Sequence, residues 1–220
     1  MAGDEDHSLA SFRARHPQLG IAGENLDRIL ALSDGVFAFA LTLLVLSLVV
    51  PSYPSGVTPT NAQLAGALGA DWHRFLGYGF AFVMIAIWWV VHNRTFQYIA
   101  RYDSTLVWIN MILLIQIAVM PFVLSVYGTF SYLRIAVDLF AAIQVTLGLT
   151  AALLWDYARR ANLLKSNVPA AVAKYFTRRG YVISAVFAGS IGVSFVNVDW
   201  AQYSWVLAFI AQRFLSASSD

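Results

Sequence analysis

Residues 28–50 read RILALSDGVFAFALTLLVLSLVV. After Arg28 the run is apolar except at Ser33, Asp34, Gly35, Thr42 and Ser47, and it stops at Pro51, where a Pro/Ser/Gly/Thr-rich stretch covers 51–60. A hydrocarbon core about 30 Å thick takes roughly 20 mostly apolar residues per helix, so this run is long enough to cross a bilayer. Further apolar runs follow at about 75–91, 105–126, 133–155 and 181–198, and 200–211 makes a short sixth ending near Arg213. Strict alternation of apolar and polar residues is absent, which removes a transmembrane β-barrel. The expected fold is an all-α integral membrane protein with six transmembrane helices.

Composition points the same way. Of 220 residues, 59% are hydrophobic and only 12% are charged, about half the roughly 25% usual for a soluble domain. So few charges do not cover a soluble surface, and so many apolar residues exclude a disordered chain. The net charge of +2 argues against a nucleic-acid partner. With no cysteine, disulfides, thiol chemistry and cysteine-ligated metals are excluded. The run at 28–50 is not a cleaved signal peptide: it is too long and no small-residue cleavage site follows it.

Basic residues orient the chain. With six spans, the side that holds the N-terminus carries Arg13, Arg15, Arg28, Arg94, Arg101, Arg159, Arg160, Lys165, Lys174, Arg178, Arg179 and Arg213. The other side carries Arg74 and Arg134. By the positive-inside rule both termini are expected in the cytoplasm of a cell-membrane protein. Residues 1–27 read as a polar cytoplasmic tail. Residues 156–180 read as one sizeable cytoplasmic loop with six basic residues and one acid, Asp156. That loop serves either topology control or contact with anionic membrane lipids.

Ionisable side chains inside a membrane cost roughly 2.5–3.5 kcal/mol at mid-depth, so they mark the candidate site. Asp34 lies about one and a half turns into the first span, with Ser33 adjacent and Arg28 six residues earlier. His92 closes the second span and Asn110 lies about one and a half turns into the third. Arg28, Ser33, Asp34, His92 and Asn110 therefore fall at similar depth on three helices. Such a cluster is either a polar lock that fixes helix packing or an acid–base or ion site. Asp138 follows Arg134 by four residues, a spacing that suits a local ion pair. Gln116 and Gln144 suit hydrogen bonds between helices or, alternatively, ion ligation. Ala31, Gly35, Ala38 and Thr42 form a small-residue stripe on the first span, beside larger Phe39, Thr42, Leu43 and Leu46. Gly180, Ser184, Ala188 and Gly192 repeat the small pattern and read as packing.

No His-Glu-x-x-His pair, phosphate-cradling loop or nucleophile elbow is present, and neither a metal site nor an enzyme is expected. Gly77-Tyr78-Gly79 echoes part of a potassium-channel filter, but Arg74, Phe75 and Leu76 precede it and it opens a spanning run, so it reads as chance.

Three segments carry a family resemblance. Arg28-Ile-Leu-Ala-Leu-Ser33-Asp34 resembles the Arg-x-x-x-Phe-Ser-Asp start of helix one in the transmembrane protein 175 family, a group of prokaryotic and lysosomal potassium channels. Trp89-Val-Val-His92-Asn93-Arg94-Thr-Phe96 resembles that family's Trp-x-x-His-His-x-x-Phe ending of helix two. Asn110 with Pro121-Phe122 resembles its third helix. Leu32 stands in place of the Phe of Phe-Ser-Asp, and Asn93 in place of the second His.

The resemblance implies a six-helix unit over 28–215 without a re-entrant filter, followed by a short C-terminal tail at 216–220. It implies a homotetramer whose central pore is lined by helix one and permeated by potassium ions, with no cofactor. Carried over by position, Phe39 takes the constriction, with Thr42, Leu43 and Leu46 as further pore-facing places. The family usually has an aliphatic residue where Phe39 stands, and a ring of four Phe favours closure by dewetting. The alternative from another class is a proton-coupled secondary transporter using Asp34, His92 and Asp138, although no inverted repeat or matched pair of broken segments is visible.

Overall fold

The apolar runs fold into an antiparallel bundle of helices. The structure, a computed structural model, describes residues 23, 25–208 and 210–211. Helix α1 spans Asp27–Leu43 and tightens into a 3-10 turn over Leu44–Ser47, where the Ser47 hydroxyl donates to the Leu44 carbonyl at 2.7 Å. Asp27 in its first turn complements the positive end of the helix dipole. The long helices α3 (Trp72–Phe96), α4 (Ser104–Phe130), α5 (Arg134–Arg160) and α6 (Ala170–Ser194) follow a short α2 (Asn61–Ala70), and α7 (Val198–Ser204) comes last. Asp103 caps α4 by accepting from the Leu106 N–H at 2.9 Å, and Asn197 caps α7 through the Trp200 N–H. Pro121 sits inside α4, which continues through it, as bundled membrane helices permit.

Four helices are long and apolar enough to cross a membrane: Asp27–Ser47, Trp72–Phe96, Ser104–Phe130 and Arg134–Arg160. They match the first four expected runs. The fifth differs. The stretch 156–180, expected as a loop, is mostly helix: α5 continues to Arg160 and α6 begins at Ala170, leaving only 161–169 between them. Lys174, Arg178 and Arg179 thus ride on the first turns of α6. The exposed Lys174 and Arg178 carry their charge off the helix into water, so a helix outruns the apolar window that reveals it. The sixth run is broken. α7 stops at Ser204, Trp205 is a turn, and the chain is helical again at 206–208. Helix α2 was not expected at all. Its signal was present in the Thr60-x-x-Gln63 capping box, in which Gln63 N donates to the Thr60 hydroxyl and Thr60 N to Gln63 Oε1.

Helix α1 packs on α3 and α4, α5 packs between α4 and α6, and α7 leans on α6. The α5–α6 approach is the closest. A Cβ added at Gly180 would lie 2.6 Å from the Gly148 carbonyl oxygen and 2.8 Å from Ala152 Cβ. Ser184 donates across the same seam to the Val145 carbonyl at 2.9 Å. Of the expected small stripe on α6, Gly180 and Ser184 are buried whereas Ala188 and Gly192 are exposed. A strict four-residue spacing drifts about 40° per step on a helix of 3.6 residues per turn, which carries the later members off the seam.

One end of the bundle gathers the start of α1, the 97–103 and 161–169 connections and the start of α6. Antiparallel bridges join Gly23 to Tyr102 and Ile99 to Leu164, and Arg101 donates to the Asn162 carbonyl at 3.2 Å. Arg28, Arg94, Arg101, Arg159, Arg160, Lys165, Lys174, Arg178 and Arg179 lie toward this end, while Arg74 and Arg134 start α3 and α5 at the other. Arg13, Arg15, Arg213 and nearly all of the two expected tails, 1–27 and 216–220, lie outside the described residues. At the far end Phe140, Tyr127, Phe187 and Trp205 form an aromatic core, with Phe140 and Trp205 centroids 4.7 Å apart.

Candidate functional site

Helix α1 has two faces. Ile29, Ser33, Phe37, Ala40 and Leu44 are buried against α3 and α4. At 100° per residue, Ala31, Asp34, Gly35, Ala38, Phe39, Thr42 and Leu46 fall in an opposite arc about 140° wide, and all are exposed. Phe39 is 62% exposed and Leu46 74%, while Leu43 is half-buried at the shoulder of the arc. The Thr42 hydroxyl donates to the Phe39 carbonyl at 2.8 Å. The small residues occupy the middle of the arc and the large apolar ones its other half.

The expected polar cluster divides into separate parts. Ser33, Asn110 and His92 form one buried chain across three helices. The Ser33 hydroxyl donates to the Ile29 carbonyl at 2.8 Å, Asn110 Nδ2 donates to Ser33 Oγ at 3.1 Å, and Asn110 Oδ1 lies 2.9 Å from His92 Nε2. The His92 ring stacks on Phe96 and tilts against Phe37, with centroids 4.5 and 5.5 Å away. Asp34 stands outside this chain. Its Oδ1 accepts from the Trp89 indole N–H at 2.8 Å, at an exposed position on the edge of the α1 arc. Arg28 is exposed and has no ion pair among the described residues. Six residues apart, the two side chains point about 120° apart with roughly 9 Å of axial rise between them, so one helix does not bring them together. Trp89 is the partner that sequence reasoning did not single out. Its place three residues before His92 on α3 was the available signal.

The remaining polar residues bond between or along helices. Trp88 Nε1 donates to Gln144 Oε1 at 2.9 Å, and Gln116 Nε2 donates to Thr150 Oγ1 at 3.0 Å. Asp138 pairs with Arg134 at 3.9 Å and accepts from the Ser194 hydroxyl at 2.6 Å. Asp156, expected in a loop, is buried near the end of α5 and accepts from Thr177 and Tyr181 on α6. Asp138 starts α5 at one end of the bundle, whereas Asp34 and His92 belong to the other. No grouping of three or more His, Cys, Asp or Glu suited to a metal ion exists among the described residues.

An exposed face that mixes a carboxylate, small residues and large apolar side chains is not suited to lipid, because the carboxylate stays expensive there.

Comparison with known proteins gives a consistent picture. The family profile described as "Endosomal/lysosomal potassium channel TMEM175" matches residues 28–121. A protein of Streptomyces collinus named a potassium channel is 33% identical over 179 residues, covering 77% of this chain and 82% of its own. A potassium channel of Chamaesiphon minutus is 34% identical over 140 residues, 62% of this chain and 68% of its own. The human endosomal/lysosomal proton channel TMEM175 is 24% identical over 172 residues, and the match spans 33% of that longer protein. Among solved structures, a lysosomal potassium-selective channel TMEM175 homologue from Chamaesiphon minutus shares the fold with a TM-score of 0.67. It is 24% identical, and the match covers 90% of this chain and all of that one. The potassium channel MtTMEM175 gives a TM-score of 0.62 at 17% identity over 89% of this chain and 95% of its own.

Proposed function

This chain belongs to the TMEM175 family of potassium channels, and on that premise we propose that it works as a homotetramer with α1 of each subunit around a central path. The unit at 28–215 contributes six spans, with α6 as the fifth and the broken helix from α7 onward as the sixth. Both termini face the cytoplasm of a cell membrane, and 1–27 and 216–220 are tails. The observation that carries this reading is the exposed arc of α1, which holds Phe39 and Leu46 outward on the outside of a single subunit.

In the assembly the small half of the arc (Ala31, Gly35, Ala38) admits the neighbouring subunit. The other half turns Phe39, Thr42, Leu43 and Leu46 to the axis. Ions then meet an apolar neck about one and a half turns past Asp34, where neck width and partial dehydration set the selectivity. The Ser33–Asn110–His92 chain holds α1 to α3 and α4 at its cytoplasmic end, and Trp89 with Asp34 steadies the edge of the arc. The secondary-transporter reading has less support, since Asp34 and His92 are separated from Asp138 by most of the bundle.

The test is potassium flux into proteoliposomes of the purified protein, with sodium and caesium as competitors. Potassium-preferring, non-saturating flux is expected, and Phe39→Ala should raise it several-fold or weaken the preference. Flux that saturates and needs a proton gradient would overturn the channel reading. Unchanged permeation in Phe39→Ala would move the neck elsewhere.

A further inference from the structure

The basic end of the bundle holds a second feature, between α3 and α6. A cavity of about 330 Å³ opens between the end of α3 and the first turns of α6, within the roughly 300–1,000 Å³ typical of ligand sites. Arg94, Gln97 and Tyr98 line it on one side, and Tyr175, Phe176 and Arg179 on the other. Its wall is built rather than incidental. Phe176 stacks on Trp155 at 4.7 Å and meets Tyr98 edge-on at 5.6 Å, and the Trp155 indole donates to the Ala173 carbonyl at 3.0 Å.

Its charge is unbalanced. Two guanidinium groups line the cavity and no carboxylate does. The ion pairs among the described residues are Arg74 with Asp71, Arg134 with Asp138 and Arg159 with Asp156, so neither Arg94 nor Arg179 has one. Arg179 is half-buried, its guanidinium bonds to Tyr175, and it feels the like charge of Arg94. Like charges held close with no acid between them are relieved by an anion. Two arginines that converge without an acid, beside tyrosine hydroxyls, have the chemistry of a phosphate clamp, because the guanidinium fork matches phosphate oxygens. The depth fits as well. Arg94 lies in the last turn of its spanning helix, and basic pockets between helices at the cytoplasmic side are where anionic headgroups dock.

We infer that this cavity is a binding site for a phosphate oxyanion, with Arg94 and Arg179 as its two cationic groups. Either an anionic phospholipid headgroup or free phosphate presents that chemistry. The exposed Lys174 and Arg178 raise the local positive potential without lining the cavity.

The test uses the purified full chain and needs no channel activity. In the lipid arm, the protein is loaded with phosphatidylglycerol, exchanged into neutral detergent, and the retained lipid is counted by native mass spectrometry. In the phosphate arm, the midpoint of thermal unfolding is followed as inorganic phosphate is added to delipidated protein, with chloride at matched ionic strength as reference. The variants are Arg94→Gln with Arg179→Gln in the cavity and Lys174→Gln with Arg178→Gln outside it, and Arg94→Lys with Arg179→Lys keeps the charge. Retained phosphatidylglycerol at least fivefold lower in the cavity pair alone, and partly restored by the Lys pair, supports the site with a lipid occupant. A phosphate-induced rise in the midpoint that the cavity pair alone abolishes supports it with free phosphate. Equal losses in the cavity and surface pairs, or no loss in either arm, overturn it. Should the cavity pair fail to fold, the single Arg94→Gln, at an exposed guanidinium, is read by the same criteria.

Discussion

Asn110 ties three helices together through one buried side chain. Its amide donates to Ser33 and faces His92, and all three side chains are buried. Asn110→Leu strips both links at once. Hydrogen bonds between membrane helices average about 0.6 kcal/mol, but a buried polar group left alone costs roughly 1–3 kcal/mol. The loss expected is therefore about 2 kcal/mol, read as a lower unfolding midpoint of the purified protein in neutral detergent. Asp34→Asn should cost much less, because an amide oxygen still accepts from Trp89 and no ion pair with Arg28 exists to break. If Asp34→Asn falls as far as Asn110→Leu, the carboxylate has a charged partner that is not among the described residues of one subunit. Depth alone had grouped Arg28 and Asp34 with the other three. Depth is legible in the sequence, and so is the 120° between those two side chains, which separates them.

Among the helices, the α5–α6 seam makes the sharpest demand on residue size. At Gly180 an added Cβ meets backbone oxygen at 2.6 Å, and backbone gives way less readily than a side chain. Gly180→Ala should cost about 1–3 kcal/mol by overpacking and lower the unfolding midpoint. Gly189→Ala on the same helix meets nothing within 4 Å and gains helix propensity of up to about 1 kcal/mol, so it should leave the midpoint unchanged or raise it. Equal effects at both positions would mean that the seam is looser than drawn. The four long apolar helices were legible because run length alone reveals a span. The rest required other signals. The first turns of α6 carry Lys174, Arg178 and Arg179, which interrupt its apolar run, the sixth run breaks at Trp205 where composition gives no break, and α2 was marked only by its Thr60–Gln63 capping box. Asp156 read as a loop acid because nothing in its neighbours announces the buried bonds to Thr177 and Tyr181.

At the scale of the whole molecule, one subunit leaves α1, as apolar as any of its spans, largely uncovered, which the proposed assembly would account for. The exposed arc of α1 carries Phe39 and Leu46, which a lone bundle in lipid tolerates, and Asp34 at its edge, which it tolerates poorly. In the proposed tetramer, four copies placed with these arcs inward would bring the four Phe39 side chains close to one axis. The chain's lack of cysteine makes this testable without a background. Phe39→Cys and Leu46→Cys each introduce a single thiol per subunit. Under mild oxidation in liposomes both should give disulfide-linked dimers, and a small methanethiosulfonate reagent should reduce potassium flux at least several-fold in either variant. Leu153→Cys, exposed on α5, should neither cross-link nor respond. Dimers from Leu153→Cys with none from Phe39→Cys would place α5 rather than α1 between subunits, and the axis of the channel would have to be drawn through a different face of the bundle.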